Sequence, residues 1–593
     1  MDRSSVLRWG VIAVAILLFW KFGLPLITGS NDKPQSLALA AETYVNGPDF
    51  VPDVLDPALK DGEPNKPVEG ELCKLSGLRY DAVLSARGAA LMHVYPKDAQ
   101  YAGSAHFDIS STPDHERWRS LRTTFRGPDA NSQIKYDRFV WKLDTDGMDG
   151  KTCRFTYEDA DVRIVKTVSA STRPFEMNVE TAVTNLAGDA KRHQLSMGLY
   201  AFRQNHEVKG SLGRVSPFQT ELSCAVGKEV ARKNKDDFKS GWFTLPGVDR
   251  YAAVNSHYFA QALIPSPGEG AVTEAPTCQV LAEEWVAAGQ ARDADDAGAV
   301  YHAKLVYPPK ELAAKATATY RDIAFFGPKE REVLALAGGG TPKLGDVTNL
   351  GFFTPVARVL VGLLSFIHDH ITFGNWGLAI IVMTIGLRSL LFPLTYKSIK
   401  TTIAMRRLKP EVDALNKKFS DDAQAKNLAM MELWKKHGVN PFGGCLPQLV
   451  QMPVWFAMYT TLQTAVEMYH TKFLWFSDLS APDKFYVLPL LLGIFMIVQQ
   501  RIVPQQGMDP MQQKMMMYML PAVFTVMMLF LPAALGVYML TNSLLGIGQQ
   551  LAVERIAPRE KSNDIVVTQK GSPGGKGGKG DKGSKPSAKA AAS

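Results

Sequence analysis

Hydrophobic and polar residues alternate with a period of two through much of residues 71–328. In VRIVKTVSAS, the positions Val162, Ile164, Lys166 and Val168 fall on one face of the predicted strand. The next stretch, FEMNVETAVTNLAG, alternates in the same way and ends in residues typical of a turn. We therefore predict a large antiparallel β-sandwich over residues 71–328.

Long apolar segments lie on both sides of this region. The first, at residues 6–27, follows two arginines and predicts a transmembrane anchor over residues 1–28 with a cytoplasmic N-terminus. A cleaved signal peptide is the alternative, because LALAA at 37–41 offers a cleavage site, although that site lies well past the apolar segment. Residues 29–70 are rich in Pro, Asp, Gly and Ala and predict a flexible linker.

Five further apolar segments follow the β-region and predict a helical membrane core over residues 376–552. With the anchor they make six transmembrane helices. The fold class is therefore a polytopic α-helical membrane protein that carries an all-β domain outside the cytoplasm. The five predicted core spans are 376–396, 446–467, 485–503, 515–531 and 534–552.

A shorter segment over residues 350–371 predicts an amphipathic helix that lies flat in the membrane interface. Its apolar positions are 356, 359, 360, 363, 364 and 367, which form one helical face. A helix in the core of the β-domain is the alternative interpretation.

Residues 397–440 predict a basic helical hairpin on the cytoplasmic side. Residues 397–436 hold ten Lys or Arg against five Asp or Glu, and the tail at 556–593 is basic and low in complexity. The apolar face of the second hairpin helix is predicted at Leu428, Met431 and Leu433. Topology alone explains such charge, but it also suits a negatively charged lipid surface or a ribonucleic acid partner. The hairpin cations that we single out are Arg406, Arg407, Lys409, Lys417, Lys418, Lys435 and Lys436.

The sequence contains no motif that we associate with catalysis. It lacks GxSxG, HExxH and a glycine-rich phosphate loop, so we expect no enzyme activity, no cofactor and no metal. The cysteines Cys73, Cys153, Cys224 and Cys278 fall in the β-region, where they could form disulfides in any of three pairings or remain free thiols. Cys445 lies at a predicted membrane boundary.

Arg388 stands in the first core span, about 13 Å along a helix from Lys397. A charge at such depth costs at least ~2.5–3.5 kcal/mol, so it should have a partner or a wet cavity unless it reaches the headgroups. The segments 446–466, 485–500 and 515–551 contain no Asp or Glu, which argues against a proton-coupled transporter. They do contain uncharged polar residues, which predict a hydrated groove around a lone cation.

Four ordered motifs resemble the YidC/Oxa/Alb family of membrane protein insertases, in its Gram-negative form with a large periplasmic domain. They are FFGPKE, NWGLAIIVMTIGLRSLLFPLT, NPFGGCLPQLVQMPVWFAMY and DPMQQKMMMYMLPAVFTVMM. YFAQALIPS at 258–266 and the early anchor extend the resemblance.

The resemblance implies a five-helix insertase core with a groove open to the cytoplasm and to lipid, and a β-supersandwich without known catalysis. It implies that Arg388 is the groove arginine. This chain departs from many Gram-negative members, because Tyr538 is followed by Met539 where those members have a second tyrosine. The residues that we assign to the substrate groove are Arg388, Thr384, Gln500, Gln451, Asn542, Tyr538 and Met539.

The implied function is to insert newly made membrane proteins and help them fold, alone or with the Sec translocon, without nucleotide hydrolysis. The expected partners are nascent membrane proteins, the Sec translocon, the phospholipid bilayer and, through the tail and cytoplasmic loops, the ribosome, but not DNA. The implied location is the Gram-negative inner membrane, with both termini in the cytoplasm. Two other classes remain open: a transporter or channel, and an envelope enzyme that acts on glycans.

Overall fold

A computed structural model describes the fold from residue 70 to residue 556 of the 593-residue chain. The predicted anchor, all but the last residue of the predicted linker and all but the first residue of the predicted tail lie outside the described residues. The internal gaps are 103–106, 111, 113–117, 127–132, 135–138, 146–148, 209–215, 217–218, 239–240, 287–296, 340–342, 350–353, 420–421, 440–445 and 503–513.

The described part of residues 71–328 is built almost entirely from β-strands, which all pair antiparallel. The strands are β1 (Leu72–Ser76), β2 (Tyr80–Ser85), β3 (Ala90–Pro96), β4 (Arg122–Arg126), β5 (Gln133–Ile134), β6 (Lys142–Leu143), β7 (Thr152–Glu158), β8 (Val162–Ala170), β9 (Glu176–Asn185), β10 (Lys191–His193), β11 (Leu195–Gln204), β12 (Glu221–Val226), β13 (Glu229–Lys233), β14 (Phe243–Leu245), β15 (Tyr251–Asn255), β16 (Phe259–Pro265), β17 (Thr277–Trp285), β18 (Gly298–Val306), β19 (Lys310–Leu312) and β20 (Thr317–Pro328).

Two large sheets form the body of the β-domain. In the described residues, one has nine strands in the order β13-β12-β15-β16-β20-β9-β8-β7-β6, and the other has six in the order β14-β17-β18-β11-β4-β5. The period-two pattern is confirmed in β8, where Val162, Ile164 and Val168 are all fully buried. Lys166 shares that face, and its Nζ donates to the carbonyl oxygen of Leu121. This bond lets a lysine occupy a core position that the pattern assigns to an apolar residue.

Two disulfides connect strands within the β-domain. Cys73 of β1 is bonded to Cys153 of β7, and Cys224 of β12 is bonded to Cys278 of β17. The sequence left three pairings and free thiols open, and the structure has this pairing. The second bridge joins the nine-stranded sheet to the six-stranded sheet.

Twelve α-helices occur in the described residues, and most of them follow the β-domain. They are α1 (Ala99–Ala102), α2 (Asn205–Val208), α3 (Arg331–Leu336), α4 (Thr354–His370), α5 (Trp376–Leu390), α6 (Phe392–Arg407), α7 (Lys409–Lys418), α8 (Ala423–Lys436), α9 (Leu446–Thr464), α10 (Val487–Ile502), α11 (Leu520–Met528, preceded by a π-helical turn Met515–Met519) and α12 (Ala533–Ile556).

Helix α5 ends earlier than the predicted span 376–396. It meets α6 at a bend of 65°, and Pro393 stands in the first turn of α6. Proline has no N–H and disfavours a helical residue before it, which accounts for the break. Among the described residues, no single helix is both long and apolar enough to cross a bilayer alone, whereas α5 and α6 together meet both requirements.

Helix α4 presents two apolar faces instead of the single face that we predicted. Leu360, Leu364 and Ile367 are buried in the helical core, as expected, but Val359 is 70% exposed. Leu363 and Phe366 are exposed as well. An apolar stripe of α4 therefore faces away from the protein.

The predicted hairpin, formed by α7 and α8, has a small core of its own. Val412 of α7 packs with Met430 and Leu433 of α8. The predicted apolar face of α8 is wrong in part, because Leu428 and Met431 are more than 60% exposed. Trp434 packs against the same core as Met430 and Leu433. The buried face of α8 is therefore formed by positions 430, 433 and 434.

The segment after α9 anchors the helical core to the β-domain. Val466 is fully buried within the core of the β-domain. Gln100 Nε2 donates to the carbonyl oxygens of Glu467 and Tyr469, at 3.1 and 2.8 Å. The His257 ring approaches the carbonyl oxygen of Gln463 at 2.7 Å. The two parts of the molecule therefore share a packed and hydrogen-bonded junction.

We predict that Gly377→Ala destabilises the helical core. A Cβ at this position would lie 2.1 Å from a ring carbon of Phe473, so the ring or α5 must shift. Overpacking of this kind costs about 1–3 kcal/mol. Thermal unfolding of the detergent-solubilised protein measures the loss.

Gly386→Ala on the same helix is the matched control. A Cβ there meets nothing within 4 Å, and alanine favours a helix over glycine by up to about 1 kcal/mol. Equal unfolding temperatures for the two variants would contradict the close contact at Gly377.

Candidate functional site

Arg388 lies in the last turn of α5 and is bound by neutral oxygen atoms of α12. Its Nε donates to Asn542 Oδ1 at 2.7 Å, and its Nη2 donates to the Asn542 carbonyl oxygen at 3.0 Å. Its Nη1 lies 3.5 Å from Gln549 Oε1. The guanidinium therefore grips one residue through two of its nitrogens, a geometry that a lysine ammonium cannot reproduce.

The amide oxygen of Asn542 joins a third helix to this cluster. Gln451 of α9 donates from Nε2 to Asn542 Oδ1 at 3.1 Å. One side-chain oxygen thus accepts from both Arg388 and Gln451. Helices α5, α9 and α12 meet at this oxygen, which fixes the direction in which the guanidinium points.

Arg388 has no carboxylate partner among the described residues, where it donates to amide and carbonyl oxygens. The acid on α12, Glu554, accepts from Arg406 Nη2 at 2.7 Å instead. The positive charge of Arg388 is therefore solvated by dipoles but not neutralised. Such a cation attracts an anionic group that enters its surroundings.

Gly546 leaves space beside the guanidinium. A Cβ at this position would lie 3.4 Å from Arg388 Nη2 and 3.5 Å from Gln499 Nε2. Gln499 of α10 therefore approaches the same point as the guanidinium. We had assigned Gln500 to the groove; Gln500 is half-buried, and it is its neighbour that lies next to Gly546.

Three other predicted groove residues lie inside the helix bundle. The hydroxyl of Thr384 is buried and donates to the Ile380 carbonyl oxygen at 2.6 Å. Tyr538 and Met539 belong to the apolar core of the bundle, with 2% and 9% of their surfaces exposed. The structure thus brings Arg388, Gln451 and Asn542 together, and gives Thr384, Tyr538 and Met539 packing positions.

The predicted hairpin cations separate into two groups. Arg406 is held at the base of the hairpin, because it binds Glu554 and also donates to the Ile502 carbonyl oxygen at 3.2 Å. The remaining six are exposed: Arg407, Lys409, Lys417, Lys418, Lys435 and Lys436.

Sequence reasoning did not single out Gln549 or the space at Gly546. Both could have been found from helical spacing, because positions 542, 546 and 549 are four and seven residues apart on one face of α12.

Comparison with known proteins places the chain in a family. A family profile described as "YidC periplasmic domain" matches residues 78–363, and one described as "60Kd inner membrane protein" matches residues 366–561. The membrane protein insertase YidC of Anaeromyxobacter dehalogenans strain 2CP-C is 32% identical over 94% of this chain and 98% of its own length. The chain belongs to the YidC family of membrane protein insertases.

Other members and one solved structure are similar to this chain. The YidC insertase of Geobacter sulfurreducens is 45% identical over 40% of this chain and 43% of its own length. A crystal structure described as an active YidC insertase with its first transmembrane domain resolved covers 93% of this chain and 99% of its own, at 17% identity and a TM-score of 0.36. As a member of the YidC family, the chain has a periplasmic β-sandwich domain.

We predict that Asn542→Leu weakens the bundle more than a neighbouring change does. The variant removes the oxygen shared by Arg388 and Gln451 and leaves a partly buried cation with fewer acceptors, at a cost of about 1.5–3 kcal/mol. Denaturant unfolding in detergent measures this cost. Thr541→Val, one residue earlier, is the control. If Asn542→Leu is no less stable than this control, the cluster does not hold the three helices together.

Proposed function

We propose that this protein inserts newly made membrane proteins into the inner membrane, and that Arg388 draws the hydrophilic flank of each substrate into the bundle. The observation that carries the proposal is a cation without a carboxylate partner in the described residues, held in a hydrogen-bonded cluster that joins three helices. An arginine has five N–H donors. The contact from Nη1 to Gln549 Oε1 is long, at 3.5 Å, so Nη1 is the donor that can most easily turn to an incoming anion.

The charge lowers the cost of moving an acidic flank out of water. A carboxylate that approaches the guanidinium exchanges water for charge-assisted hydrogen bonds, which are among the strongest that proteins make. Because Arg388 has no permanent acid to release, the substrate does not have to displace one. The bound state is also reversible, which an insertase requires, since the flank must leave on the far side.

Lateral release uses the apolar outer surface of the helices. Val450 and Met452 of α9 are exposed, as are Leu490, Ile494 and Val498 of α10. A substrate helix that slides along these side chains passes from the groove into lipid without meeting a charged residue. Burial of its apolar surface supplies the drive, at roughly 25 cal/mol per Å². No nucleotide motif occurs in the sequence, so the proposal needs no hydrolysis.

The proposed topology has six transmembrane helices: the anchor at 1–28 and five from the core, with α5 and the start of α6 forming one bent span. Both termini and the hairpin are cytoplasmic. The two disulfides support the placement of the β-domain outside the cytoplasm, since such bonds persist in oxidising compartments. The exposed apolar stripe of α4 suits the membrane interface.

The proposed partners follow from exposed charge. Six exposed hairpin cations and the basic tail offer contacts to ribosomal RNA and to the anionic inner leaflet. The Sec translocon is proposed as a partner from the family resemblance, for substrates with larger external domains.

Reconstitution tests the proposal. We would place the purified protein in liposomes, add a single-spanning protein with an acidic external tail and measure how much of the tail is protected from protease. We expect protection above empty liposomes and at least a tenfold lower rate with Arg388→Ala, the equivalent of about 1.4 kcal/mol for a lost charge-assisted bond. For a substrate with a neutral tail, Arg388→Ala should lower the rate of protection far less.

Arg501→Ala is the matched control, because Arg501 is an exposed arginine in the last turn of α10. Arg388→Lys separates charge from geometry, since it keeps the charge and loses the two-point grip on Asn542. The electrostatic role of Arg388 is refuted if acidic and neutral tails are affected equally. Protection no higher than in empty liposomes would refute the insertase function itself.

A further inference from the structure

A partly open cavity lies where the β-domain meets the helical core. It has a volume of about 310 Å³ and is bordered by residues that follow β20 and by α3, α4 and the end of α9. This volume is at the lower end of the range for ligand sites, roughly 300–1,000 Å³. The FFGPKE motif leads into it, because Lys329 lines the cavity.

Two of the three cations in the lining are paired with carboxylates. Arg331 Nε lies 3.6 Å from Glu467 Oε1, and Arg358 Nη2 lies 2.5 Å from Asp346 Oδ1. Glu467 is the one carboxylate in the lining. Asp346 also pairs with Arg250 Nη2 at 2.9 Å, so two arginines share this carboxylate. The third cation of the lining, Lys329, forms no ion pair among the described residues.

Lys329 is buried without a partner for its ammonium group among the described residues. Only 8% of the residue is exposed. Its backbone N–H donates to the Tyr258 carbonyl oxygen at 2.8 Å, which holds the residue in place. Burial lowers the pKa of Lys329 to about 8, so the group is still mostly charged at neutral pH. A buried ammonium is normally paired, because desolvation of an unpaired charge is costly.

Two hydroxyl groups in the same lining also lack partners. The Oγ1 atoms of Thr348 and Thr461 are buried and make no hydrogen bond within the described structure. A hydroxyl can donate to a bound oxygen anion. One unpaired ammonium and two unpaired hydroxyls therefore border one cavity, which is the donor set of an anion site.

We propose that this junction cavity binds a phosphate group, either the headgroup of an anionic phospholipid or free phosphate. Phosphate presents several acceptor oxygens in a compact group, which suits three donors from different elements. Arg358 shares Asp346 with Arg250, so it adds positive charge nearby and offsets the carbonyls at the C-terminal end of α9. The apolar stripe of α4, formed by Val359, Leu363 and Phe366, lies on the helix that borders the cavity and offers a surface for acyl chains.

Binding to the delipidated full-length protein in detergent tests the proposal. The probes are dihexanoyl phosphatidylglycerol below its micellar concentration and inorganic phosphate, each titrated by calorimetry. We expect saturable binding that weakens at least tenfold in Lys329→Gln, because a charged donor is lost. Tighter binding of phosphatidylglycerol than of phosphate assigns the site to lipid, and equal binding assigns it to free phosphate.

Two further variants keep the result interpretable. Thr461→Val removes one hydroxyl while it keeps the shape, and we expect roughly fivefold weaker binding. Lys74→Gln, an exposed lysine of β1, should leave binding unchanged. If Lys329→Gln does not fold, Thr461→Val still decides the outcome. The proposal is overturned if neither probe binds saturably, or if every variant binds as the original chain does.

Discussion

The polar cluster inside the helical core is built on one interaction, the pair of hydrogen bonds from the Arg388 guanidinium to Asn542. A lone cation in an apolar bundle is tolerated only when polar atoms replace the water that it has lost. Here the side-chain and main-chain oxygens of one residue do so, and Gln451 is drawn to the same amide. These bonds to neutral oxygens offset the cost of burying the charge without neutralising it. A bundle interior that stays positive attracts an acidic flank.

The β-domain and the bundle are joined by buried and hydrogen-bonded contacts. Val466 lies in the core of the β-domain, although it follows directly after α9. At the other side of the junction, Glu330 accepts two hydrogen bonds from Arg79 and one from Tyr101. Deletion of the β-domain would expose Val466 and strip Glu330 of its partners. A loss of activity after that deletion would therefore report on stability as much as on any task of the domain.

Much of the fold could be predicted from the sequence, because local patterns dictate local structure. The period-two alternation anticipated the sheets, and the lone arginine anticipated a polar cluster. Pro393 also signals the bend between α5 and α6, but a single continuous span is the simpler interpretation of the apolar segment 376–396. What could not be predicted depends on long-range packing: which cysteines meet, which face of α8 turns inward, and that Gln499 and not Gln500 approaches Gly546. Adjacent residues of one helix point about 100° apart, so a shift of one position changes the partner.

Access of water to Arg388 tests the central claim most directly. In a background that carries Cys445→Ser, the variants Gln451→Cys and Gln499→Cys would be labelled from the cytoplasmic side of membrane vesicles with a membrane-impermeant maleimide. Ile494→Cys, on the exposed apolar side of α10, serves as the lipid-facing control. We predict rapid labelling of the first two and slow labelling of the third. Equally slow labelling of all three would contradict a hydrated groove and would leave Arg388 as a structural clasp between helices.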